Sequence, residues 1–67
     1  MEEIDDLLEP SMRFALECIR TGTWKEAEMD EERKVRILQI MLNWFEEREE
    51  YENCAIIHDE IKAYENF

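Results

Sequence analysis

The stretch Arg33-Lys34-Val35-Arg36-Ile37-Leu38-Gln39-Ile40-Met41-Leu42-Asn43-Trp44-Phe45 decides the fold. Its apolar residues recur at helical spacing. Val35, Leu38, Leu42 and Phe45 make one stripe, and Ile37, Ile40 or Met41, and Trp44 make a second beside it. A sector two stripes wide exceeds an ordinary core face. The helix is therefore expected to be central, touching helices on both sides, or to bury its second stripe on a partner molecule. Asp30 reads as its N-cap, with Glu31 and Glu32 in the first turn, so the expected span is 31–48.

Toward the C-terminus, Cys54, Ile57, Ile61 and Tyr64 share one face of an expected helix over 52–65, with Ala55 and Ile56 at its margin. The connection falls near Arg48–Tyr51, among Glu46, Glu47, Glu49 and Glu50. That charge run reads either as a solvated hairpin end or as a docking edge for a basic surface.

Toward the N-terminus, Thr23-Trp24-Lys25-Glu26 has the capping-box pattern, with Thr23 as N-cap of a short helix over 24–29. Trp24 is either a lid on the core or a recognition residue. Gly22 suits a helix terminator. Before it, Pro10 suits a first helical position, and Met12, Ala15, Leu16 and Ile19 recur on one face, predicting a helix over 10–21. Residues 1–9 form an acidic arm or a short helix. One glycine, one proline and no Asn-Gly or Asp-Gly turns leave little room for strands. The expected fold is all-α: one domain over 1–67, a small three-helix bundle with an additional short helical turn and a C-terminal helical hairpin.

Composition narrows function. The 67 residues carry 19 acids against 8 Lys and Arg, a net charge of −11. Nucleic-acid binding depends on cations neutralising phosphate, so this balance argues against it. Residues 1–32 hold eleven acids and three bases (net −8), and residues 46–67 hold eight and two (net −6). Between them, Arg33, Lys34 and Arg36 make a basic island expected to be compensated by acids of neighbouring segments. No apolar run approaches a membrane span, and the start Met1-Glu2-Glu3-Ile4-Asp5-Asp6 is acidic where a signal peptide is basic. The expected setting is the cytoplasm, with Met1 as a native start. Cys18 and Cys54 then read as partly buried thiols in a reducing compartment, or as one bridge stapling the first and last helices.

No catalytic set is present. His58 and Asp59 are neighbours and point apart on a helix. Cys54 and His58 lie at i, i+4 but lack an orienting third group. With Cys18 they supply too few ligands for a closed zinc site. The chain is expected to be no enzyme and to need no metal, cofactor or small-molecule substrate.

Residues 49–65, Glu49-Glu50-Tyr51-Glu52-Asn53-Cys54-Ala55-Ile56-Ile57-His58-Asp59-Glu60-Ile61-Lys62-Ala63-Tyr64-Glu65, resemble the UVR motif, a helical hairpin of bacterial nucleotide-excision-repair proteins and some Clp-protease-associated proteins. Tyr51 stands at the family's turn position, Glu52 at its acidic position, Ala55 at its small buried one and Ile57 at its leucine. Asp59, Ile61 and Lys62 match its aspartate, isoleucine and basic residue. His58 replaces an arginine. Leu42 and Phe45 fill apolar positions of the first helix, which otherwise differs, carrying Trp44 and lacking an alanine pair. The resemblance spans about residues 40–65 and implies a protein-contact hairpin, without implying a repair role.

Two functional classes follow. The first is a protein-binding adaptor, inhibitor or regulator working through apolar and aromatic helix faces, at Trp24, Ile37, Met41, Trp44, Tyr51 and Tyr64, with Glu46, Glu47, Glu49 and Glu50 at its edge. The partner can also be a second copy, and a purely structural, self-assembling role is a blander version. The second is an acidic decoy on the nucleic-acid-binding surface of a basic enzyme. In that it is similar to virus-encoded proteins that act in a host cytoplasm.

Overall fold

A computed structural model describes residues 2–65, with side chains from Leu7 onward. It is all-α: α1 (Glu2–Thr21), α2 (Thr23–Glu26), α3 (Glu31–Glu47) and α4 (Tyr51–Glu65). No strand occurs among the described residues. The protein is a small helical bundle in which α3 and α4 form the C-terminal hairpin.

α1 does not begin at Pro10 but runs through it. A proline inside a helix removes one N–H bond to the carbonyl one turn earlier. Pro10 is exposed, so water can reach that carbonyl and donate in place of the missing N–H. Arg13 Nε meets Glu9 Oε2 at 2.8 Å and ties the turns on either side of the ring.

The expected capping box at Thr23 does not form. Gly22 is the N-cap of α2 at φ 85°, and no side chain caps that end. Thr21 Oγ1 donates to the Glu17 carbonyl at 3.0 Å, and the Thr23 hydroxyl is spent on Thr21 Oγ1, also at 3.0 Å. α2 closes at Glu26 because Ala27 is extended. Asp30 does occupy the N-cap position of α3. Its carbonyl accepts the Lys34 N–H at 3.1 Å, while its side chain caps nothing.

The α3–α4 turn is a Schellman motif. Glu50 N–H bonds the Phe45 carbonyl and Glu49 N–H the Glu46 carbonyl, both at 3.0 Å. Glu49 takes the left-handed position (φ 61°) that glycine usually fills.

The core comprises Leu16, Trp24, Leu38, Met41, Trp44, Phe45, Cys54, Ile57 and Ile61. On α3 the buried line is Lys34, Leu38, Met41 and Phe45. It runs between the two expected stripes and draws from both. Val35, Leu42 and Ile37 fall to its margins, and Ile40 is 55% exposed. α4 packs on α3 along the hairpin and on α1 across the bundle, while α3 also meets α2 through Lys34 and α1 through Arg13. Ala55, the small buried position of the UVR resemblance, is exposed, and α4 buries Cys54, Ile57 and Ile61 instead.

Among the described residues the basic island forms no salt bridge, although Arg36 lines a cleft with Glu31, Glu32 and Glu65. Lys34 is buried and its Nζ donates to the Lys25 carbonyl at 3.1 Å, placing a cation at the C-terminal end of α2. Arg33 and Arg36 are exposed, and among the described residues neither joins a salt bridge. Arg13 is the cation that meets carboxylates, at Glu9 and Glu50.

Candidate functional site

Of the expected contact residues, Trp24, Met41 and Trp44 are core residues. Trp44 meets Phe45 edge-on, with centroids 4.9 Å apart. The Arg48 guanidinium lies 4.1 Å from the Trp44 ring centroid and Arg13 6.0 Å. Both distances suit cation–π contact. Trp44 is therefore covered within the molecule, by core neighbours and by these cations, while Ile40 of the same stripe stays exposed. Ile37 is half-buried at its edge. Tyr64 is half-buried, and burial, then the nearby Glu60 carboxylate, pushes its phenol above the ordinary range. Tyr51 is 66% exposed. Glu46, Glu47, Glu49 and Glu52 are exposed at the hairpin end, whereas Glu50 is held by Arg13.

The open apolar surface lies elsewhere, on α1. Leu7 is 77% exposed and Phe14 72%. With Cys18 they are spaced i, i+7 and i+11, which keeps all three within about 20° of one line along the helix. Leu16, nine positions after Leu7, falls on the opposite side and is buried. Sequence reading assigned the Met12–Ile19 face to the core, and that face does pack inward. Phe14 was passed over. The signal that could have found it is its place off that stripe, one helical repeat from Leu7.

At its C-terminal end this line opens into a groove of about 400 Å³ between α1 and α2. Phe14, Ala15 and Cys18 form one wall, and Thr23, Trp24, Glu26 and Ala27 the other. Gly22 makes the groove: its left-handed backbone turns the chain back so that α2 lies beside α1. Trp24 thus has a double placement, its ring counted in the core while part of it lines the groove.

Both cysteines are free, and Cys54 is buried with Sγ 3.9 Å from the Leu42 carbonyl. Burial, then Glu46 and Glu50, pushes the Cys54 thiol up, away from the nucleophilic thiolate. His58 is exposed. Among the described residues, no group of three or more His, Cys, Asp or Glu side chains is placed to hold a metal ion, and no helix is long and apolar enough to cross a membrane.

No protein-family model matches the chain, and neither a curated protein nor a solved structure is significantly similar to it.

Proposed function

We propose that this chain binds another protein, as an adaptor, inhibitor or regulator, and that the outer face of α1 with the α1–α2 groove is the contact surface. The carrying observation is the alignment of Leu7 and Phe14, both more than two-thirds exposed, with an apolar groove. Single exposed hydrophobics are ordinary, but aligned ones ending in a groove fit the helix-in-groove mode of recognition. The similarity of residues 49–65 to a protein-contact hairpin supports the same class. A cytoplasmic setting suits free thiols.

The test is affinity capture with the full chain and a Phe14→Ser variant, after nuclease treatment and across a salt series. A partner held through ~0.5 M salt, where surface charge attraction is screened, and lost with Phe14→Ser is the expected result. A partner set indifferent to that substitution refutes this surface.

The decoy reading keeps one observation in its favour: Glu46, Glu47, Glu49 and Glu52 are exposed together at the hairpin end, beside an exposed Tyr51. It requires a basic nucleic-acid-binding partner that DNA or RNA displaces and that ~0.5 M salt releases.

A further inference from the structure

We propose that the occupant of the α1 face is a cationic amphipathic helix of another protein. The inference rests on the protein-binding reading above and adds the chemistry of the partner. Its grounds are shape and charge.

The line from Leu7 to Cys18 spans about 16 Å, roughly three helical turns. That length matches a partner helix presenting apolar side chains at i, i+3 or i+4, and i+7. The groove at its end has room for one large apolar side chain. Around that line the charges are of one sign. Glu26 is the sole charged residue lining the groove. Glu17 is exposed on the α1 side, and neither carboxylate joins a salt bridge among the described residues.

Of the nearby bases, exposed Arg20 lies about 160° around α1 from Cys18, and two others are engaged elsewhere. Arg13 is bound to Glu9 and Glu50. Lys25, next to Glu26 in sequence, lines a different cleft, with Lys34, Glu31 and Tyr64. Lysines or arginines flanking an apolar stripe would meet the unpaired carboxylates at the rim.

The same charges disfavour a second copy. A two-fold interface sets a patch against itself, so Glu17 and Glu26 would confront like carboxylates, on chains each at −11. Like-charge contact at an interface suppresses wrong partners.

The test uses the full chain and three synthetic peptides of about five helical turns. One has a leucine stripe flanked by lysines, the second has the same stripe flanked by glutamates, and the third is the lysine peptide scrambled. Titration calorimetry at ~0.15 M salt, where the Debye length is about 8 Å, gives the affinities. The lysine-flanked peptide is expected to bind about tenfold or more tighter than the other two. Phe14→Ser should weaken it about tenfold, and the double variant Glu17→Lys, Glu26→Lys should reverse the charge preference. Because Phe14 is exposed, circular dichroism of its variant should match the parent.

Equal binding of the scrambled peptide overturns the proposal, since attraction would then be diffuse. So does equal binding of the glutamate-flanked peptide, or no binding at all. Concentration-dependent dimerisation in sedimentation, abolished by Phe14→Ser, also overturns it, by showing a second copy on this face. If cellular capture stays dependent on Phe14 while the peptides show no charge preference, protein binding at α1 survives and only the cationic partner falls. Capture indifferent to Phe14 removes the surface itself.

Discussion

Arg13 grips Glu50 across the bundle with two hydrogen bonds, Nη1 to Oε1 at 3.1 Å and Nη2 to Oε2 at 2.7 Å, between residues 37 positions apart. The same guanidinium lies 5.8 Å from the Phe45 ring centroid. Both side chains keep contact with solvent, at 42% and 28% exposed. The pair therefore belongs with partly screened surface bridges rather than buried ones. A double-mutant cycle with Arg13→Ala and Glu50→Gln should give a coupling of about 0.5–1 kcal/mol.

The acid limb of stability should carry the mark of this pair. The Arg13 hydrogen bond, ahead of a smaller one from Asn53, holds the Glu50 carboxyl below its ordinary value. A depressed folded-state pKa gives stability that is present above the unfolded carboxylate pKa, near ~4.3, and is lost as pH falls through the folded value. Urea midpoints measured from pH 6 downward should thus fall less steeply for Glu50→Gln than for the parent. Identical slopes would remove Glu50 from the acid response.

Alkaline behaviour runs the opposite way. The Cys54 thiol is raised by burial, so its contribution is complete below the unfolded thiol pKa of ~8.5 and is lost as pH rises toward the folded value. Labelling the native protein with a thiol reagent at pH 8 should modify half-buried Cys18 first and Cys54 only as the chain opens. Comparable rates at both sites would contradict the burial of Cys54.

Two backbone positions invite a paired substitution. Gly22 sits at φ 85° with open space where a Cβ would go, so Gly22→Ala should cost about 1 kcal/mol from conformation alone. Glu49, at φ 61° in the Schellman turn, is the reverse case, and Glu49→Gly should stabilise by up to about 1 kcal/mol. Thermal unfolding of both variants checks the signs, which must be opposite.

In the core, Leu38 and Ile57 are fully buried. Leu38→Ala should cost ~2–5 kcal/mol, and Ile57→Val ~0.5–1.5 kcal/mol. A chain this short has little stability to spare, so the first variant should be largely unfolded at 37 °C while the second remains measurable in urea. A Leu38→Ala protein within ~0.5 kcal/mol of the parent would contradict the packing of α3.

Much of this architecture was legible because capping chemistry and helical period act locally. Asp30, Gly22 and the Cys54–Ile57–Ile61 face fell where the residues place them. Two features were not legible. Pro10 marks a helix start on local grounds, yet an exposed proline can be carried by the turns around it. The two stripes of α3 were equally apolar, and period alone does not say which line between them faces inward. The answer came from tertiary partners: α4 on one side and the guanidinium groups of Arg13 and Arg48 over Trp44. The same ambiguity displaced the candidate surface. Trp44 looks available in the sequence because part of its cover comes from Arg13, distant in sequence, and from Arg48, one turn on, while Phe14 looks unremarkable because its exposure depends on which side of α1 the bundle takes.

The short α3–α4 turn has a kinetic consequence. Closing a hairpin over three residues costs little chain entropy, whereas docking α1 must close a far longer loop. The hairpin should assemble early and α1 should join it late, with the Arg13–Glu50 contact made on the native side of the barrier. In a chevron plot, Arg13→Ala should then raise the unfolding rate and leave the refolding arm almost unmoved, while Ile57→Val should slow refolding. On that ordering, α1 and the open face it carries are also the first part of the molecule to let go.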